Sequence, residues 1–318
     1  MNPVLASTKY VVDNSKRVKI NTEKIPVFAK TFTHEHKKHW FNAAPFDFTH
    51  VGKKEKLHFF LMFNSMSFSY WGYPKWIVDY QGQKLDGSWA MIAALQRMIV
   101  ENKTSLNPSV FANLDKEKLK EILRANVEIP LLDERLKVLN EVGSVLTRGY
   151  DADFGNFVEC ANGDALRLLN MIVTQFPSFN DVSMYIGKKV YFWKRAQLLV
   201  GDIFQAFDAR GYGDLKNVGQ LTACADYKLP RVLRELDILE YSKELSARVD
   251  KKIILPHDCE EEIEIRANTI WAVELIKQKI QERIPDIDSI HVNDHLWLAS
   301  QIKSPETKPH HLTRTTAY

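Results

Sequence analysis

The side chain best placed to do chemistry in this sequence is Asp226. It closes the apolar run Leu221-Thr222-Ala223-Cys224-Ala225 and is followed by Tyr227, Lys228, Leu229 and Pro230. A carboxylate flanked in this way can stabilise a developing positive charge or move a proton. It can equally be a helix cap or a turn aspartate, and the pattern alone leaves both readings open. Proline suits a first helical turn and disfavours a helical residue before it. The spacing therefore predicts one helix ending near Asp226 and a second beginning near Pro230, a helical hairpin with the carboxylate at its break. In the second helix Val232, Leu233 and Leu236 take buried positions, and Arg231, Arg234 and Glu235 wetter ones.

Two further stretches carry groups suited to ligands. In FNSMSFSYWGYPKW, Phe63 to Trp76, Ser65, Ser67 and Ser69 alternate with Met66, Phe68 and Tyr70, which puts hydroxyls on one side if the segment is extended. Tyr70, Trp71, Tyr73 and Trp76 follow, and aromatic rings beside hydroxyls either sandwich a flat ligand or form the corner of a sheet. FWKRAQLLVGDIFQAF, Phe192 to Phe207, is apolar almost all round, so Lys194, Arg195, Gln197 and Asp202 need partners. Lys194 or Arg195 suits a ligand phosphate, while Asp202 reads first as one half of a structural ion pair. The three cysteines are far apart, and His34, His36 and His39, like His310 and His311, lie in polar stretches, so no metal-ligand cluster is indicated. The glycines form neither a phosphate-cradling loop nor a dinucleotide fingerprint, and no cofactor is expected.

These groups must be positioned by elements drawn from 318 residues, 45% of them hydrophobic, which is enough for a large core. The 43 basic and 40 acidic residues leave a net charge of +3, without the global field of a nucleic-acid binder, although an anionic small molecule remains compatible. Odd, scattered cysteines fit a reducing compartment. Neither a membrane-spanning run nor an apolar signal core is present, so the expected location is cytoplasmic, or nuclear. Strands are expected at 56–63, 76–80 and 188–191. Helices are expected at 89–101, 114–124, 131–146, 164–176 and 192–207, from about Glu260, and at 290–302. Ser88 is the expected cap of the first of these. The expected organisation is one compact unit over 1–302, with an N-terminal α+β subregion at 1–85, and a frayed tail at 303–318.

Taken together, the Phe63–Trp76 and Phe192–Phe207 stretches, LTACADYKLPRVLRELDILEYS (Leu221 to Ser242) and EIEIRANTIWAVELI (Glu262 to Ile276) resemble the queuosine salvage proteins, which are queuosine 5'-phosphate N-glycosylase/hydrolases. The similarity runs over roughly residues 10 to 302, and the ordered set of four motifs is specific where no single one is. The resemblance implies a mainly α fold with small β segments, related to helix-hairpin-helix DNA glycosylases. It implies hydrolysis of the N-glycosidic bond of queuosine 5'-monophosphate, releasing queuine for salvage into tRNA. The family's catalytic aspartate falls on Asp226. Trp71, Lys194, Arg231 and Trp271 are the candidate substrate contacts, and Asp202 and Glu264 are auxiliary polar ones. Such chemistry fits without a metal, because an ionised carboxylate can stabilise the positive ribose left by a departing base and orient the attacking water. The expected partner is the nucleotide itself, with no direct nucleic-acid binding, no membrane and no indicated protein partner. A nucleic-acid base glycosylase is the nearest alternative, weakened by the absence of a basic stripe. A non-enzymatic nucleotide or modified-base binding protein is the other.

Overall fold

The computed structural model describes residues 2–44, 46, 48, 51–102, 106–302 and 304–318. The chain opens with helix α1 (Pro3–Asn14), capped by the Asn2 side chain, then strand β1 (Val18–Ile20) and helix α2 (Ile25–Thr31). Helix α3 (Lys53–Ser65) leads to the hairpin β2 (Ile77–Tyr80) and β3 (Gln83–Asp86) and to α4 (Gly87–Asn102). Helices α5 (Pro108–Ala112), α6 (Lys116–Ile122), α7 (Leu132–Gly149), α8 (Phe154–Glu159) and α9 (Ala165–Gln175) follow. A second hairpin, β4 (Val182–Tyr185) and β5 (Lys188–Tyr191), precedes α10 (Lys194–Ala206). The chain continues through α11 (Lys228–Glu235), β6 (Leu239–Tyr241), α12 (Lys243–Asp250), α13 (Glu260–Gln281) and α14 (Ser289–Ala299). The fold is mainly helical, with three two-stranded antiparallel sheets among the described residues, one of which pairs β1 with the distant β6. No helix among the described residues is long and apolar enough to cross a membrane.

The expected strand at 56–63 is a helix. Glu55 reaches back to the Gly52 amide at 3.2 Å to cap α3, and every residue from Leu57 to Ser65 is buried. A helix enclosed on all sides is apolar on all sides, so its sequence shows neither helical nor strand periodicity. Nor does the following segment alternate: Ser65, Ser67 and Ser69 are as buried as Met66, Phe68 and Tyr70. Helix α4 starts at Gly87, one residue ahead of the expected cap at Ser88. The expected 76–80 and 188–191 strands form as β2 and β5. Asp164 caps α9 by accepting from the Arg167 amide at 2.8 Å.

Most buried side chains of the described residues gather in two clusters, and Tyr227, Ala317 and Tyr318 form a small third one. Of the first two, the larger is built on α3, α4, α7, α9 and α10, the smaller on α2, α11, α13 and α14, and Trp297 packs against both. The chain after 303 is not a frayed tail; Lys303 itself lies outside the described residues. Leu255 N donates to Leu312 O at 2.8 Å, Ser69 N donates to Tyr318 O at 2.8 Å, and His311, Leu312, Thr313, Thr315 and Tyr318 are buried. Threonines and histidines that look like solvated tail in sequence here line a packed seam.

Candidate active site

The expected helical hairpin around Asp226 is only half formed. The segment from Leu221 to Asp226 has no regular secondary structure, although its side chains are buried. Three of its backbone polar groups are held by side chains reaching in from three helices. Thr222 N donates to Gln197 Oε1 of α10 at 2.9 Å, Cys224 N donates to Asn293 Oδ1 of α14 at 2.9 Å, and Arg266 Nε of α13 donates to Ala225 O at 3.3 Å. These bonds supply what a first helix would have supplied internally. The second helix, α11, starts at Lys228, and Pro230 lies in its first turn. Asp226 Oδ1 accepts from Lys228 N at 2.7 Å and Leu229 N at 3.0 Å. Oδ2 has no hydrogen bond from a protein group among the described residues, so it is the oxygen left to a ligand. The helix-cap reading and the functional reading of Asp226 thus fall on different oxygens of one carboxylate.

Asp226 lines a cleft at the meeting of the two larger clusters. The end of α3 and the chain after it contribute Phe63, Ser67, Phe68 and Tyr70, and α10 contributes Lys194. Asn293, Asp294 and Trp297 come from α14, Trp40 from the 3₁₀ turn Trp40–Ala43, and Tyr227 and Tyr318 complete the aromatic wall. Trp40 lies 5.2 Å from Phe63 and 6.0 Å from Trp297 between ring centroids. Rings so grouped offer flat faces to a heteroaromatic base.

The floor of the cleft is cationic. Lys194 is buried, and its Nζ reaches Ser67 O at 3.3 Å; burial lowers its pKa and the Asp226 charge opposes that effect. Behind it, Arg135 donates to Phe68 O at 2.6 Å and to Met66 O, and Arg195 donates to Ser65 O at 2.8 Å. Burial lowers both guanidinium pKa values to about 10. Neither arginine belongs to an ion pair among the described residues. Their charges are solvated by backbone carbonyls and Phe68 ring contacts at 4.2 and 5.2 Å, and the carboxylates of Asp181 and Glu141 oppose the effect of burial on Arg195 from beyond contact distance.

A second carboxyl enters from α14. Asp294 Oδ2 accepts from Gln205 Nε2 at 3.0 Å and Oδ1 from Asn293 Nδ2 at 3.2 Å. Burial raises this carboxyl to about 6, with His39 opposing and Asp202 adding to the rise. A group poised there can hold or release a proton near neutrality.

A family model described as "Queuosine salvage protein" matches residues 48–318. This chain belongs to the queuosine salvage protein family. Among its curated relatives, a Sphaerobacter thermophilus protein is 35% identical over 323 residues, 99% of this chain and 97% of the relative. A Mus musculus protein is 33% identical, with 80% of each chain covered, and a Dictyostelium discoideum protein is 28% identical over the whole of both. All three carry the name queuosine 5'-phosphate N-glycosylase/hydrolase.

In this member of the queuosine salvage family the structure brings Asp226 and Lys194 into one cleft. Trp71 and Arg231 line an adjoining groove that shares Tyr70, Asp86, Gly87, Tyr227 and Lys228 with it. Trp71 is stacked on the Arg314 guanidinium at 3.7 Å. Arg231 and Arg234 are buried, against the expectation of wetter positions, while Leu236 faces outward. Partners explain the burial: Arg231 donates to Ser300 O at 2.7 Å, and Arg234 pairs with Asp250 at 3.1 Å. Trp271, Asp202 and Glu264 do not line the cleft. Trp271 donates to Thr8 Oγ1 at 3.1 Å and packs α1 on α13. Glu264 accepts from the amides of residues 16, 17 and 18 and from Tyr185. Asp202 pairs with the buried His39 ring, whose Nε2 lies 3.1 Å from Oδ1, and with no lysine or arginine among the described residues; it also accepts from Trp40 Nε1 at 2.7 Å and Asn64 Nδ2 at 2.8 Å, and so orients a wall of the cleft. Sequence reading missed Asp294 as a site residue. Its signal was a polar Asn-Asp pair in HVNDHLWL, an otherwise apolar helix carrying Trp297.

Proposed function

We propose that this chain hydrolyses the N-glycosidic bond of queuosine 5'-monophosphate, releasing queuine and ribose 5-phosphate. The observation that carries the reading is Asp226, capped through one oxygen and open through the other, in an aromatic cleft floored by a buried lysine. As the bond from C1' to the base breaks, positive charge develops on the ribose. Asp226 Oδ2 stabilises it and orients the water that adds to C1'. Asp294, held near 6 by burial, supplies a proton to the departing base, and Asp226 Oδ2 takes the proton that the attacking water loses as its oxygen bonds to C1'. Lys194, with the field of Arg135 and Arg195 behind it, takes the phosphate. Trp71 and Arg231 then border the route into the cleft, and Trp271, Asp202 and Glu264 act by holding the scaffold.

The same reading includes a helix-hairpin-helix glycosylase-like ancestry. It is supported by a mainly helical fold and by a carboxylate at the head of α11. The chain is read as one unit because α1 and α2 pack on α13 and β1 pairs with β6. The near-balanced charge favours free nucleotide over nucleic acid as substrate, and a cytoplasmic site of action fits that substrate.

The test is single-turnover product chromatography on wild type and Asp226→Asn, with ligand binding and circular dichroism alongside. Asparagine can still accept from the Lys228 and Leu229 amides but brings no charge to the ribose. Release of queuine should fall by about two to four powers of ten with binding and fold retained. Near-wild-type turnover in the variant would remove Asp226 from the mechanism. Base release from RNA or DNA in place of the nucleotide would favour a nucleic-acid glycosylase, and binding without turnover by wild type a carrier.

A further inference from the structure

Away from the cleft, the turn ahead of α13 brings His257 and Asp258 against Glu262 in the first turn of that helix. One donor atom from each of the three lies within 4.8 Å of the others. His257 Nε2 is 3.6 Å from Asp258 Oδ2, and Ser183 Oγ fixes that carboxylate by donating to Oδ1 at 2.5 Å. Glu262 is fully buried. Its Oε1 accepts from the Tyr318 hydroxyl at 2.7 Å, while its Oε2 is enclosed without any hydrogen bond. A buried carboxylate oxygen without a partner is costly. Arg266 does not remove that cost, because it sits 3.8 Å from Oε1 and its guanidinium is already committed to Asp181.

We propose that His257, Asp258 and Glu262 bind a divalent transition-metal cation of the zinc class, with water completing its shell. One imidazole nitrogen with two carboxylate oxygens suits Zn²⁺, Co²⁺ or Mn²⁺ better than Mg²⁺ or Ca²⁺, which prefer oxygen alone. Metal–ligand bonds of about 2.0–2.2 Å place tetrahedral donors about 3.4 Å apart, so closure needs only a small inward movement. His257 and Asp258 are exposed, and their exposure is the entry path. The ion would act on structure rather than in the reaction. Glu262 holds Tyr318, a wall of the cleft, and His257 Nε2 lies 3.5 Å from Thr315 Oγ1. Occupancy therefore clamps the turn at 257–258, the start of α13 and the segment 315–318 to one another.

Metal-stripped full-length protein titrated with CoCl₂ should bind one equivalent, develop visible ligand-field absorption, lose it to ZnCl₂, and melt at a higher temperature with either ion. His257→Ala and Asp258→Asn change exposed positions and spare the buried glutamate, so both should keep the metal-free melting temperature. Each should lose roughly tenfold or more in metal affinity. Absence of stoichiometric binding by wild type would overturn the site, as would unchanged affinity in both variants.

Discussion

Arg266 and Asp181 form a two-armed ion pair in which both side chains are buried, and the same guanidinium reaches the carbonyl of Ala225, the residue before Asp226. It is also sandwiched between the rings of Phe192 at 3.8 Å and Tyr318 at 4.5 Å. Structural integrity and placement of the Asp226 carboxylate therefore depend on one side chain. Arg266→Met should destabilise the protein by about 3–5 kcal/mol in denaturant titration, because it strands Asp181 in the interior. Arg266→Lys keeps a charge but not the planar fork, and should retain the fold while losing kcat. A lysine variant with wild-type kcat would show that Ala225 needs no clip.

Asp294 gives a pH prediction with a definite sign. Its folded-state carboxyl is raised from 3.8 to about 6, so the native state holds this proton more tightly than the unfolded chain. The stability it contributes is complete below the ordinary carboxylate range and is lost as pH rises toward 6, at about 1.4 kcal/mol per unit of difference. Thermal melts of wild type should thus fall relative to Asp294→Asn between about pH 4 and 6. A kcat limb descending through about 6 in wild type should be missing in D294N. Parallel profiles for the two proteins would take Asp294 out of proton transfer.

Lys194 is held in the interior with its pKa lowered by burial. Lys194→Met removes a desolvated ammonium and should leave the melting temperature unchanged or higher. The charge-assisted contact to phosphate is lost, so KM for the 5'-phosphorylated substrate should rise by roughly tenfold to a hundredfold. The unphosphorylated nucleoside should be handled as by wild type. Equal losses on both substrates would assign Lys194 to the scaffold instead.

Gly143 in α7 lies directly against the backbone of α5. A Cβ added there would meet Pro108 O, Ala112 N and Phe111 C well inside contact distance. Backbone cannot step aside as a flexible side chain can, so Gly143→Ala should cost about 1–3 kcal/mol with KM unaffected. Chemical denaturation beside steady-state kinetics tests both halves of the expectation.

Local signals were readable in sequence and non-local ones were not. The carboxylate ahead of a proline-marked helix points to Asp226, and helices such as α7 and α9 declare themselves by periodicity, α9 also by its Asp164 cap. Leu221 to Ala225 looked helical because it is apolar and short. What holds it out of a helix are Gln197, Arg266 and Asn293, residues distant in sequence. Trp271 and Glu264 were selected by residue type on α13, a helix buried over most of its circumference. With apolar and polar residues enclosed alike, no hydrophobic face reveals its phase, and the residue that reaches the site is Arg266. The tail was misread for the opposite reason: its threonines and histidines are polar, but their partners lie on α13 and after α3.

The clip on the Asp226 segment also sets an order of events. Its three side chains stand 25 residues before and 41 and 69 residues after the backbone groups they hold. A growing chain presents Asp226 well before Arg266 or Asn293 exists, and contacts of such sequence separation close late in folding. The carboxylate can thus be capped by α11 early yet left unaimed until α14 docks. A chain that stops short of α14 would keep its aspartate and its helix cap without a working site, so activity is among the last properties this protein acquires as it folds.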